Sequence, residues 1–159
     1  MLYVKFFEKQ SIVCEREIRK IIERIPDGHL RHLDCIVYDP TFFFQRSYAV
    51  PKVINYRAWG HYSQQPKRYI SIHKFGDCQE FEHVLFHEVG HHVFNNILGS
   101  ANRVEWVTYI FPKSRHFVSN YARRNAQEDF SECYAYFLRG KASLIRDMSK
   151  LQFIRKNLM

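Results

Sequence analysis

The sequence predicts an α+β fold with a small mixed sheet, a long helix carrying paired histidines and a later helix carrying glutamates. Three observations point there. Short β-rich runs fall in the first half, at Leu2–Phe7, Leu33–Tyr38 and Arg68–Phe75. Two segments of helical apolar spacing, Cys78–Leu98 and Gln127–Leu138, fill the second half. The 159 residues contain no repeat, low-complexity tract or linker, so a single domain over residues 1–159 with one core is expected.

In chain order, Leu2–Phe7 reads as a short strand. Ser11 is placed to cap a helix reaching about Ile25, with Ile18, Ile21, Ile22 and Ile25 as its apolar stripe, and Pro26-Asp27-Gly28 stops it. Leu33–Tyr38 offers a second β run ended by Asp39-Pro40, which makes a β-α-β opening. Residues 41–66 are aromatic and irregular, with a further strand expected within Val53–Tyr62 and a turn at Gln64–Lys67. Tyr69–His73 alternates as a half-buried strand does, and it is expected to hold an extended peptide by strand pairing. Gly99-Ser100 breaks the long helix, Ala101–Phe111 looks helical up to Pro112, and Ser114–Ala122 connects. A helix from Asn125 is closed by Gly140, and the tail Ser143–Leu158 is amphipathic through Leu144, Met148, Leu151 and Ile154.

The bulk numbers narrow the function classes. A 46% hydrophobic and 16% aromatic content fits a packed globular chain. No apolar run approaches the roughly 20 residues of a membrane span. The N-terminus is broken by charges too early for a signal peptide, so a cytoplasmic chain is expected, or a secreted one if a leader has been trimmed. Cys14, Cys35, Cys78 and Cys133 are widely spaced with no C-x-x-C pair and read as free thiols in a reducing compartment. The net charge of +8 could attract nucleic acid or acidic partners, but the basic residues are dispersed and no nucleic-acid motif accompanies them, which favours a solvated basic surface.

The chemistry concentrates in His87-Glu88-Val89-Gly90-His91, an H-E-x-x-H motif. At ~100° per residue the two histidines lie about 40° apart on a helix, with Glu88 about 60° beyond His91. Two imidazoles therefore converge on one cation with an acid beside them to take a proton. Flanking apolar residues bury this helix, where unpaired histidines and glutamate are costly. Gly90, at ~1 kcal/mol against alanine in mid-helix, signals close approach of another segment. A third ligand is expected from Tyr121–Glu132, where Glu128 and Glu132 are one turn apart. Glu128 could bind the metal and Glu132 could accept a hydrogen bond from a ligand imidazole. Asn125-x-x-Glu128 also matches a capping box, and Asp129 is a rival ligand about 100° around the helix from Glu128.

Together, His87-Glu88-x-x-His91, Tyr121 and Glu128-x-Phe130-x-Glu132 resemble the zincin metalloproteases of the gluzincin type, in particular the family of the anthrax lethal factor peptidase domain. The similarity covers roughly residues 68–138. The resemblance implies a zincin-like fold and a zinc metallopeptidase acting on a protein or peptide. His87, His91 and Glu128 would hold one zinc ion, and zinc-bound water would be the nucleophile. Glu88 would be the general base, Tyr121 would steady the oxyanion, and Glu132 would support a ligand histidine. The sequence departs from the pattern at His92, expected on the helix surface or behind a ligand. Two other readings stay open: a zincin-shaped protein of little turnover that docks a peptide or nucleic acid, and a nucleic-acid binder with structural zinc. Oligomeric state is not readable.

Overall fold

A computed structural model describes residues 2–41 and 59–159. The expectations for the aromatic stretch at 42–58, and for the first part of a strand within Val53–Tyr62, lie outside the described residues. The described chain is α+β: a four-stranded mixed sheet backed by helices, as the sequence predicts.

Strands β1 (Tyr3–Lys5), β2 (Cys35–Tyr38), β3 (Gly60–Ser63) and β4 (Tyr69–Ile72) lie in the order β1-β2-β4-β3. β1 pairs parallel to β2 with Tyr3 opposite Cys35, and β2 pairs parallel to β4 with Cys35 opposite Tyr69. β3 runs antiparallel to β4, with Gly60 opposite Ile72. The opening is thus β-α-β, its crossover made by helix α1 (Glu15–Ile22). β4 lies between β2 and β3, so both of its backbone edges are used. The expectation that Tyr69–His73 would pair with an extended peptide is therefore corrected: among the described residues the strand at this edge of the sheet is β3.

Local chemistry moves some boundaries. α1 begins after Cys14, not Ser11, because Gln10 organises the preceding turn: its Oε1 accepts from Ile12 N and Val13 N at 2.9 and 3.0 Å. Cys14 N then donates to Glu17 Oε2 at 2.8 Å, the reciprocal half of a capping arrangement. α1 stops at Ile22, yet Ile25 is still buried beyond its end.

Helix α2 (Cys78–His92) is capped by Asp77, which accepts from Glu80 N at 2.8 Å. It buries Phe81, Leu85, Phe86 and Val89 and continues through a π turn, Val93–Ile97. α3 (Ser100–Glu105) likewise continues through a π turn, Trp106–Ile110, into Phe111–Lys113. Pro112 therefore sits within a helical turn rather than after it, where a first-turn position tolerates its missing N–H.

Helix α4 (Ala126–Leu138) starts at Asn125, whose side chain accepts from Glu128 N at 2.9 Å, and ends near Gly140 at φ 72°. α5 (Met148–Leu158) buries Leu151, Phe153, Ile154 and Leu158. Leu144 and Met148, placed on the buried stripe from sequence, are exposed because the helix begins only after Asp147.

α2 packs most closely on α4, and Gly90 is the contact that permits it. A Cβ at Gly90 would meet the Ser131 Cα at 2.8 Å, which is backbone and cannot rotate away. Gly90→Ala should therefore force the helices apart and cost about 1–3 kcal/mol, read as a lowered denaturation midpoint. Among the described residues no helix is long and apolar enough to cross a membrane, and all four cysteines are free.

Candidate metal centre

α2 and α4 bring three side chains to one point. His87 Nε2 lies 3.0 Å from Glu128 Oε2, His91 Nε2 lies 3.2 Å from the same oxygen, and the two nitrogens are 3.2 Å apart. Tetrahedral bonds of ~2.0–2.1 Å space their ligand atoms about 3.3–3.4 Å apart, so this triangle is close to the size a zinc ion demands. Glu128 Oε2 is buried and, although near both nitrogens, is aligned for a hydrogen bond with neither. A buried carboxylate oxygen without a donor is what a cation would satisfy. The donor set of two imidazoles and one carboxylate suits zinc.

The rest of α4 fixes the ligands. Glu132 Oε1 accepts from His87 Nδ1 at 2.8 Å and from His83 Nε2 at 2.9 Å, and Oε2 accepts from Ser119 Oγ at 2.6 Å. Proton placement follows from the donors. Arg139 Nη1, which can only donate, lies 3.1 Å from His83 Nδ1, so His83 carries its proton on Nε2 and gives it to Glu132. His87 donates from Nδ1, which turns its Nε2 to the triangle. Ser119 Oγ also accepts from Ala122 N at 3.1 Å, so Glu132 ties the Tyr121–Arg123 turn to the histidines. The Tyr121 ring packs at 5.5 Å from that of His87.

Glu88 is 7% exposed and lines the same cleft, a cavity of about 660 Å³ walled by β3 on one side and by the Ser119–Tyr121 segment on the other. A Cβ at Gly60 would stand 2.7 Å from Glu88 Cγ and 2.8 Å from its Oε1, so only a glycine leaves this carboxylate its place beside β3.

All six residues singled out in the sequence therefore border one cleft. Those missed are His83, Ser119, Arg139 and Gly60. His83 stands four residues before His87 and could have been found by helical spacing; the others carry no local signal. Two readings are corrected. His92 is fully buried and turned away from the cleft, with Nε2 2.8 Å from Arg31 O and Nδ1 3.1 Å from Tyr62 Oη, because one residue of helix rotates it from the ligand face. Asp129 is not a rival ligand: its Oδ1 accepts from the buried Lys150 Nζ at 2.7 Å, on the far side of α4. The capping pattern at Asn125 is real, but the Glu128 carboxylate points to the histidines.

The charges follow from burial and contact. Burial opposes charge on His87, but the carboxylates of Glu128 and Glu132 outweigh it and raise its pKa to about 10. Burial would raise Glu128, yet the two imidazoles hold it down at about 2. Burial likewise opposes Glu132, and its histidine donors keep it well below the usual range. Burial raises Glu88 above an ordinary carboxylate, against the pull of His87 and His91. Burial, with Glu128 and Glu88 nearby, keeps Tyr121 a protonated phenol at neutral pH.

These shifts set a pH dependence for the chain kept in chelator. His87, raised from 6.5, stabilises fully below pH 6.5 and loses that contribution as pH climbs through about 10. Glu128, lowered from 4.5, stabilises fully above pH 4.5 and loses it as pH falls toward about 2. The two describe one contact, so the chelated protein should melt highest between pH 4.5 and 6.5. A zinc ion held at this triangle would have to displace the His87 proton, so any zinc-induced rise in melting temperature should grow with pH above 6.5. Thermal melts with and without zinc across this range check both signs.

No protein-family model matches the chain, and no curated protein matches it.

Proposed function

We propose that the chain is a zinc-dependent metallopeptidase with a zincin-like fold, hydrolysing peptide bonds of a protein or peptide. The observation that carries the reading is the convergence of His87, His91 and Glu128 within 4.8 Å of one another, with Glu88 in the same cleft. A site that only held zinc would have no use for a second, unligated carboxylate whose proton affinity is raised by burial.

Zinc held there supplies Lewis acidity and makes water a nucleophile near neutral pH. Glu88, buried and raised above an ordinary carboxylate, takes a proton from the attacking water and returns it to the leaving amine. Tyr121 remains protonated and donates its phenolic hydrogen to the developing oxyanion. Glu132 keeps His87 in the tautomer that binds metal and, through Ser119, holds the Tyr121 turn against the cleft. β3 forms the cleft wall beside Glu88 and is the strand along which an extended substrate would lie.

The test is hydrolysis of a broad fluorogenic peptide library by zinc-loaded protein. Cleavage that stops in chelator and returns with zinc supports the reading. Stoichiometric zinc with no cleavage across the library would leave a zincin-shaped binding protein instead.

A further inference from the structure

Several of the exposed cations border two adjoining hollows beside the cleft. A trough of about 700 Å³ between the α3 extension and α5 is bordered by Lys113, Arg115, Arg146 and Lys156. It shares Arg115 and Arg146 with a smaller hollow of about 370 Å³ that adds Arg123 and ends at Tyr136. Tyr136 in turn borders the metal cleft. A line of five exposed cations therefore leads up to the site. Among the described residues none of the five is in an ion pair. Two acids, Asp147 and Glu105, line the trough beside four cations, which leaves a positive excess. Asp147 is engaged in capping α5, accepting from Ser149 N at 3.0 Å and from Ser114 Oγ at 2.9 Å.

We propose that this trough binds an acidic stretch of the polypeptide substrate, to one side of the bond that is cleaved. The proposal rests on the peptidase reading. Five cations bordering two adjoining hollows attract an extended polyanion and fix its direction relative to the cleft. Cations lie against the Phe117 ring of the smaller hollow, while Tyr109 in the trough stays 59% exposed. Arg123 lies 5.0 Å and Lys150 4.1 Å from the Phe117 ring centre, and Lys113 Nζ lies 5.7 Å from that of Tyr109. Single-stranded nucleic acid binds by stacking successive bases as well as by charge; a carboxylate-rich peptide needs the charge alone, and the peptidase reading makes it the occupant.

The probe is fluorescein-labelled decaglutamate, followed by anisotropy on zinc-loaded Glu88→Gln protein at physiological ionic strength, with oligothymidylate and decalysine alongside. Three forms are compared: this background, the same with Arg115→Glu and Arg146→Glu, and the same with Arg16→Glu and Lys20→Glu on the distant α1. The expected result is decaglutamate binding weakened roughly tenfold or more by reversal in the trough and far less by the equal charge change on α1. An Ala pair at Arg115 and Arg146 repeats the measurement should charge reversal lower the melting temperature. Equal losses from both pairs, or no decaglutamate binding, overturn the proposal; tighter, trough-dependent binding of oligothymidylate overturns it in favour of nucleic acid. Library hydrolysis by the wild type is read separately. Its absence would remove the peptidase reading while the anisotropy still reports on the trough, and trough failure would leave hydrolysis intact.

Discussion

Glu88→Gln should lower peptide hydrolysis by about 10²–10⁴-fold while zinc stays bound. Glu88 contributes nothing to the ligand triangle, which is made by His87, His91 and Glu128. The amide is nearly isosteric, so it keeps the space that Gly60 leaves beside β3. What it loses is the ability to take and return a proton. The retained zinc separates this outcome from unfolding or demetallation. A Gln variant that cleaves at the wild-type rate would remove Glu88 from the chemistry.

Lys150→Met should destabilise the fold by about 3–5 kcal/mol, because it leaves a buried carboxylate without its cation. Lys150 and Asp129 are 1% and 0% exposed, and Lys150 Nζ also donates to His116 O at 3.1 Å, joining α5 and the connecting loop to α4. Burial already raises Asp129 to about 6 even with the ammonium opposing it. Asp129 Oδ2 has no hydrogen-bond donor, so the site is under-satisfied before any change. Removing both charges, as in Lys150→Met with Asp129→Leu, should restore most of the loss, since a buried pair contributes little over packed apolar groups. Urea denaturation of the two variants beside the wild type measures both values. A single variant as stable as the wild type would contradict the assignment.

How much of this was legible depended on whether the information was local. His87 and His91 are one helical turn apart, so their convergence followed from the spacing alone, and Gly90 announced the close approach of Ser131. Glu128 was different: three acids stand within five positions of one helix, and periodicity left Asp129 open until the pairing with Lys150 removed it. Strand order is a non-local property. Tyr69–His73 looked suited to bind a peptide because it precedes the histidine-bearing helix, but β3 pairs with the edge of β4. The start of α1 was misread because a glutamine turn at Gln10 outcompeted Ser11. The two π turns carry no sequence period of their own, so Pro112 looked like a helix end. Gly60 follows the undescribed stretch and gave no hint that it makes room for Glu88.

Zinc content, measured by atomic spectroscopy on purified wild type, His87→Ala and Glu128→Ala, bears most directly on the meeting of α2 and α4 at one cation. The account predicts stoichiometric zinc in the wild type and its loss in both variants, each still folded by circular dichroism. Full zinc retained by Glu128→Ala would contradict it.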